Sequence, residues 1–276
     1  MNIGPTNTKM KIDSLHFAQP LTGIEAFTTL RGSATDNDPY SQFNVCDYTG
    51  DDKSHVANCR LNLCSTLGIA PQHLVMPHQT HSADCVIIGE DFLSLSDDAK
   101  SSMLDGKDAI ITTLSDVAIG VNTADCVPII LADPHKGIIA AVHAGWKGTV
   151  KRIAANAIQA MTAHLGANPS NIYAAIGVSI CQDCFEVGDE VLEQFADAKF
   201  HINHIAYRSS TTGKAHISLQ EANKVTLTEC GIPQENISIC GICTRCNPTT
   251  YFSARRIGIK SGRVFTGIVR RSKQRK

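Results

Sequence analysis

Residues 117–149 read VAIGVNTADCVPIILADPHKGIIAAVHAGWKGT, and this stretch decides the fold. It reads as strand, loop, strand, tight turn, strand and the start of a helix. VAIGV, VPIILA and GIIAAVH are short, apolar and β-branched. DPHKG supplies Asp, Pro and Gly, the residues of short turns. With Pro134 and His135 as the two central turn residues, Asp133 faces Lys136. Counting back along both strands then sets Cys126 opposite His143. A directly opposed antiparallel pair holds its Cβ atoms about 4.5–5.5 Å apart. A thiolate and an imidazole would meet at the open end of the hairpin, as a metal half-site or as a Cys–His nucleophile pair. The plain alternative is a small buried cysteine beside a core histidine. Register decides, because a slip of one residue sends the two to opposite faces.

Downstream of the hairpin, Thr149 is placed to cap a helix whose stripe is Ile153, Ala157, Ile158, Met161 and Leu165. The stripe is core. GWKG sits at that helix start, where backbone N–H groups and Lys147 favour an anion, although a tight strand-to-helix turn has the same pattern. IYAAIGVSI reads as a buried strand, and a helix carrying Val191, Leu192 and Phe195 starts near Asp189. SLQEANKVTLTECG is a helix with a Ser218/Glu221 capping box and Gly231 beyond its end. The chain closes as a strand, a cysteine-rich loop, a basic loop and a final strand.

Upstream, LHFAQPLTG and IEAFTTLRG read as two early strands, followed by the long polar loop SATDNDPYSQFNVCDYTGDD. A helix starts near Asp51 or Asp52, with Val56, Cys59, Arg60, Leu63 and Leu67 on one face and Gly68 at its close. Arg60 can reach an anion or extend along the apolar face. HLVM and CVIIG are short strands, and His78 and His81 lie in the loop between them. DFLSLSDDAKSSMLDGKDAIITT is a polar excursion ending in a strand, with its turn at Asp105 and Gly106. Hairpins interrupt the βαβ rhythm, which favours a mixed-sheet α+β or α/β layered fold over a doubly wound one. Neither a GxGxxG nor a P-loop is present.

The 276 residues, 43% hydrophobic, suffice for a substantial core, in one large domain or two tightly fused halves, and a single globular domain is the expectation. Its expected limits are residues 11–270, between a disordered N-terminus at 1–10 and a basic tail at 271–276. A net charge of -1 points to neither nucleic acid nor a membrane surface as partner. No apolar run approaches the roughly 18 residues of a membrane span. The first residues lack a signal core, so a cytoplasmic location is expected. Eleven cysteines in such a chain read as thiols or metal ligands rather than disulfides.

Three constellations carry chemistry. His81, Cys126 and His143 end three elements; two imidazoles and a thiolate leave a fourth tetrahedral position open, as in catalytic zinc sites. Asp125 adjoins Cys126 and could orient a ligand or accept a proton. Cys181, Cys184, Cys240, Cys243 and Cys246 could close a structural zinc site or an iron–sulfur cluster, or be incidental thiols. Arg255, Arg256 and Arg263, near Tyr251 and Phe252, could fork onto phosphate or be solvated.

HQTHSADCV, TADCVPIILADP, AAVHAGWKGT, IGVSICQDCFEVGDEV and YFSARRIGIKSGR together resemble, in order, the motifs of the purine nucleoside phosphorylase/laccase-domain family, formerly the multicopper polyphenol oxidase family. The resemblance spans roughly residues 27–265. It implies a layered αββα sandwich, two β-sheets faced by helices. It also implies a zinc site on His81, Cys126 and His143, with copper as the other metal and His78 outside the ligand set. Departures fall in the substrate loop: Val178 replaces the usual proline, and Ala254 precedes Arg255 and Arg256. The implied activity is phosphorolysis of adenosine, inosine and S-methyl-5'-thioadenosine, with adenosine deamination. Purine nucleoside and phosphate are the implied partners, for a monomer or homodimer. Arg60, Lys147 and Arg255 are the candidate phosphate ligands.

Three rival readings remain open in the sequence. Copper-dependent phenol oxidation is weakened because eleven histidines include no His-x-His pair. A metal-free hydrolase would use Cys126 as nucleophile and His143 as base. A redox or metal-sensing binding protein would depend on Cys243 more than on Cys126.

Overall fold

The computed structural model describes residues 10–33 and 38–272. The expected disorder of residues 1–9 and the end of the basic tail, 273–276, lie outside the described residues. In chain order the described residues form β1 (Ile12–Ser14), β2 (Ile24–Thr29), α1 (Lys53–Leu67), β3 (Leu74–Val75), β4 (Cys85–Ile88), α2 (Glu90–Leu93), α3 (Asp97–Leu104), β5 (Ala109–Thr112), β6 (Ala118–Thr123), β7 (Val127–Asp133) and β8 (Ile138–Ala144). The second half adds α4 (Trp146–Val150), α5 (Ile153–Leu165), β9 (Tyr173–Ile176), β10 (Glu186–Val187), α6 (Asp189–Asp197), α7 (Ile202–Ile205), β11 (Ala206–Arg208), β12 (Ala215–Ile217), α8 (Leu219–Glu229), β13 (Ile237–Ile239), α9 (Ala254–Ile257) and β14 (Val264–Arg270).

Every residue of β7 and β8 is buried. Strands that are apolar on both faces need two covers. Ile129, Leu131, Ile138, Ala140 and Val142 face Ile153, Ala157, Ile158 and Met161 of α5. Ile130, Ala132, Ile139 and Ala141 face Ile119, Val121 and Ile268 of a second sheet. That sheet runs β1-β2-β14-β6-β3, and its far face is covered by Cys59, Leu63 and Leu67 of α1. The central sheet runs β13-β9-β7-β8-β5-β4. Both sheets mix parallel and antiparallel neighbours. The αββα sandwich implied by the resemblance is therefore the architecture found, with a small antiparallel sheet, β10-β12-β11, at one end.

The hairpin register differs from the one read in the sequence. Pro128 pairs with His143 and Asp133 with Ile138, so the loop is residues 134–137 rather than two residues. The cause is the Asp133 side chain. Its carboxylate accepts from the backbone N–H groups of His135 (3.0 Å) and Lys136 (3.1 Å), and Gly137 completes the turn at φ 65°. The slip is two residues, and strand side chains alternate with period two. Cys126 and His143 therefore become diagonal neighbours instead of directly opposed ones, yet keep the same face.

Helix boundaries follow local chemistry. Asp52 caps α1 by accepting from His55 N–H at 2.9 Å, and Gly68 closes it in the left-handed conformation. Ser218 caps α8 through Glu221 N–H as expected. Thr149 is not a cap: it lies inside α4, and α5 follows Arg152, whose φ is 61°. The first early strand is Ile12–Ser14, ahead of the LHFAQPLTG segment. Met10, placed by the sequence in the disordered N-terminus, is instead buried against the α1 layer, because its side chain fills apolar space beside Phe27 and Leu63. Among the described residues no helix is long and apolar enough to cross a membrane.

Candidate metal centre

Cys126 ends the loop entering β7, and His143 stands on β8 beside it. By alternation both point to the space between the sheets, at its open end. His81 arrives from the β3–β4 loop. Its Nε2 lies 3.7 Å from the Cys126 sulfur, and its ring sits edge-on to His143 with centroids 4.8 Å apart. The three donor atoms all lie within 4.8 Å of one another. His143 is buried, Cys126 half-buried and His81 exposed, so the group opens toward solvent on one side.

A buried carboxylate holds this group. Asp108 precedes β5, and β5 pairs with β8 so that Asp108 falls opposite His143. Its Oδ1 accepts from His143 Nδ1 at 2.6 Å and from His81 N–H at 3.1 Å. Its Oδ2 accepts from Thr80 N–H (3.1 Å), Ser82 N–H (2.7 Å) and the Ser82 hydroxyl (2.8 Å). Burial raises the cost of this charge, but the His143 hydrogen bond and charge, then the Ser82 donors, outweigh it and draw the carboxyl down to about 2. Successive N–H groups of residues 80–82 form an anion nest, with His81 at φ 60°. Gln79 pins the same loop to β6, donating to Asn122 O (2.8 Å) and accepting from Asn122 N–H (2.7 Å).

Electrostatics couple the ligands. Burial opposes ionisation of Cys126, yet the His143 charge and hydrogen bond, then those of His81, hold the thiol below the usual cysteine range. Burial also opposes a charged His143, yet the Cys126 thiolate and Asp108 hold it above the usual histidine range. Each group favours the charged form of the other.

The group fits a metal ion. A tetrahedral zinc about 2.3 Å from sulfur and about 2.0 Å from nitrogen would separate the two by about 3.5 Å, close to the 3.7 Å found. Asp108 occupies His143 Nδ1, which leaves Nε2 for the ion. Gly145 lies beneath the triad: a Cβ there would stand 2.9 Å from both the Cys126 sulfur and His81 Cδ2. The space is kept clear of side chain.

The other sequence candidates are dispersed. Lys147 sits in the first turn of α4, two residues beyond Gly145, with its ammonium 5.6 Å from the Trp146 ring. Arg255 N–H donates to Asp125 Oδ2 at 2.7 Å, and its guanidinium donates to Glu186 O and lies over Phe185. Arg60 donates to Val45 O at 2.8 Å and pairs with Asp47 at 3.0 Å. It lines a separate cavity of about 940 Å³ whose walls include none of the triad. His78 bonds Asp105 at 2.6 Å on that same cavity. Asp125 does not touch the triad through its carboxylate, which accepts from the Thr244 hydroxyl (2.7 Å) and Arg255 N–H. Of the clustered cysteines, Cys181, Cys184, Cys243 and Cys246 converge and Cys240 stays apart. Asp108 is the site residue that sequence reasoning missed. Its signal was a charged residue set directly before the buried strand AIIT, at the position that the β5–β8 register places opposite His143.

The chain is similar to known proteins over most of its length. The family model described as multi-copper polyphenol oxidoreductase laccase matches residues 25–271. A protein named adenosine deaminase RL5, from an unknown prokaryotic organism, is 50% identical over 262 residues, 95% of this chain and 100% of that one. A purine nucleoside phosphorylase of Bacteroides thetaiotaomicron is 38% identical over 248 residues, 90% of this chain and 92% of that one. The crystal structure of YlmD from Geobacillus stearothermophilus superposes with a TM-score of 0.84 at 29% identity, covering 92% of this chain and 94% of that one.

Proposed function

Because the chain belongs to the multi-copper polyphenol oxidoreductase laccase family, we propose that it is a zinc-dependent purine nucleoside phosphorylase with adenosine deaminase activity. Adenosine, inosine and S-methyl-5'-thioadenosine are its nucleosides. The observation that carries the reading is the His81–Cys126–His143 donor set, with His143 oriented by buried Asp108 and one side open.

His81, Cys126 and His143 would hold the ion. When bound, zinc supplies Lewis-acid chemistry, drawing charge from an oxygen or nitrogen in contact with it. Asp108 keeps the proton on His143 Nδ1, so the ring presents Nε2 to the centre. Phosphorolysis forms a bond from phosphate oxygen to the ribose anomeric carbon and breaks the glycosidic bond, with the base leaving. Lys147 follows the His143 strand in the chain and Arg255 bonds Asp125 beside Cys126; these two cations would hold phosphate while positive charge builds on the sugar. Deamination consumes water at the purine carbon bearing the amino group and releases ammonia.

The test is purified protein with its metal counted, incubated with adenosine with and without phosphate, beside Cys126→Ala. Phosphate-dependent adenine and ribose 1-phosphate, phosphate-independent inosine, and loss of both with about one zinc in the variant are expected. Metal-loaded protein that yields no product refutes the nucleoside reading.

A second reading rests on the mutually stabilised Cys126 thiolate and His143 imidazolium, the charge state of a Cys–His nucleophile pair. It requires activity that survives chelation and is lost when Cys126 is alkylated. Copper oxidation by a multinuclear cluster is disfavoured by the absence of any His-x-His pair.

A further inference from the structure

A second sulfur cluster lies outside the candidate centre. Cys181 precedes a single 3-10 turn, Gln182–Cys184, on the chain that leaves β9. Cys243 and Cys246 stand on the turn that follows β13. β9 and β13 are parallel neighbours, and the chain segments beyond them stay paired. Ser179 bridges Cys243, Ser179 N–H donates to Ile242 O, and Thr244 N–H donates to Ser179 O. Two C-x-x-C turns, remote in sequence, are thus set against each other.

The four sulfurs lie within 4.8 Å of one another. Cys184 and Cys246 are 3.5 Å apart, well beyond the about 2.05 Å of a disulfide, and all four are free thiols. A tetrahedral ion about 2.3 Å from each sulfur would space them about 3.8 Å apart. An iron–sulfur cluster with several irons spreads its thiolates across more than one metal, so this tighter group suits a single ion.

We propose that Cys181, Cys184, Cys243 and Cys246 form a closed tetrathiolate site for one structural zinc ion, separate from the His81–Cys126–His143 centre. Four thiolates around a divalent ion carry excess negative charge, and donors stand ready to meet it. Cys181 N–H donates to the Cys243 sulfur at 3.3 Å, and the Arg245 guanidinium donates to the Cys184 sulfur at 3.3 Å. Four protein ligands leave no open position, which marks a structural role. The ion would clamp two loops that meet at Asp125: Thr244 donates its hydroxyl to the Asp125 carboxylate, and Ile180 N–H donates to Asp125 O at 2.9 Å. Asp125 precedes Cys126, so the second site would brace the first through one residue.

Zinc is counted by mass spectrometry in the full chain, in Cys126→Ala and in Cys246→Ser, with folding followed by circular dichroism. About two equivalents are expected in the unsubstituted protein and about one in each variant. Cobalt substituted into Cys126→Ala should give the intense visible bands of tetrahedral thiolate ligation. A folded Cys126→Ala protein without zinc, whose remaining cysteines near Arg245 react at once with a thiol reagent, overturns the proposal. If Cys246→Ser does not fold, the count in Cys126→Ala decides alone. One zinc in the unsubstituted protein, retained in Cys126→Ala, would uphold this site while refuting the triad as a zinc centre.

Discussion

Asp108→Asn tests the second layer of the candidate centre. The substitution keeps shape and removes one acceptor oxygen. Asp108 collects five donors: His143 Nδ1 and His81 N–H on one oxygen, Thr80 N–H, Ser82 N–H and the Ser82 hydroxyl on the other. An amide can serve only one of these sets. With its NH2 toward Thr80 and Ser82, two part-buried backbone donors lose their partner. With its NH2 toward His143, that ring must accept at Nδ1 and carry its proton on Nε2, the atom the ion requires. Each unpaired buried donor costs about 1–3 kcal/mol, so destabilisation of about 2–5 kcal/mol is expected. The electrostatic route gives a compatible figure. The carboxyl is drawn from 3.8 to about 2, which corresponds to about 2 kcal/mol. The sign is fixed: a depressed carboxyl stabilises the fold above the unfolded value near 3.8, and that contribution fades as pH falls through about 2. Urea unfolding should therefore show a large loss at pH 7 and a shallower acid limb between about pH 4 and 2 in Asp108→Asn. Zinc affinity, read by competition with a chelator, should fall by about 10–100-fold. Stability and zinc affinity both within error of the unsubstituted protein would refute the role assigned to Asp108.

Gly145→Ala places a methyl 2.9 Å from the Cys126 sulfur and from His81 Cδ2; because Gly145 has φ -64°, its backbone accepts alanine. Metal content and turnover should collapse while the melting temperature changes little. Lys147→Ala should raise the KM for phosphate, whereas Arg60→Ala, whose guanidinium already serves Val45 and Asp47, should leave it within about twofold; steady-state kinetics with varied phosphate separates the two. Asp52→Ala removes the α1 cap and should cost about 1 kcal/mol in urea unfolding without altering zinc content.

The long elements were legible because each carries a repeated physical signal. β7 and β8 are unbroken apolar runs, α5 has its stripe, and α1 and α8 have capping aspartate and serine. α2, α7 and α9 were not, since four residues make barely one turn and show no period. The eight-residue α3 was hidden differently: none of its residues is buried, so it has no apolar face to announce it. The small sheet β10-β12-β11 uses strands of two or three residues, too short to show a period, and β10 meets its partner β12 only after α6, α7 and β11 have intervened. The hairpin register escaped because a side chain, Asp133, set the loop length. The metal triad survived that error only through the parity of the strand.

Both triad loops pass through left-handed backbone at a residue that carries a Cβ: His81 at φ 60° and Asp125 at φ 86°. Such residues cost about 1–3 kcal/mol each unless their surroundings over-determine them. In each loop a buried aspartate does so. Asp108 gathers the N–H groups on both sides of His81. Asp125 is itself the strained residue, and its carboxylate and carbonyl are bound by Thr244, Arg255 and Ile180. The two aspartates therefore divide the work. One fixes the imidazoles from the β5 side. The other ties the Cys126 loop to the cysteine-rich segment beyond β9 and β13. A loop relaxed into ordinary backbone would turn its donor away from the shared centre. The strain is the cost of aiming three donors from three separate elements at one point, and the buried carboxylates offset it.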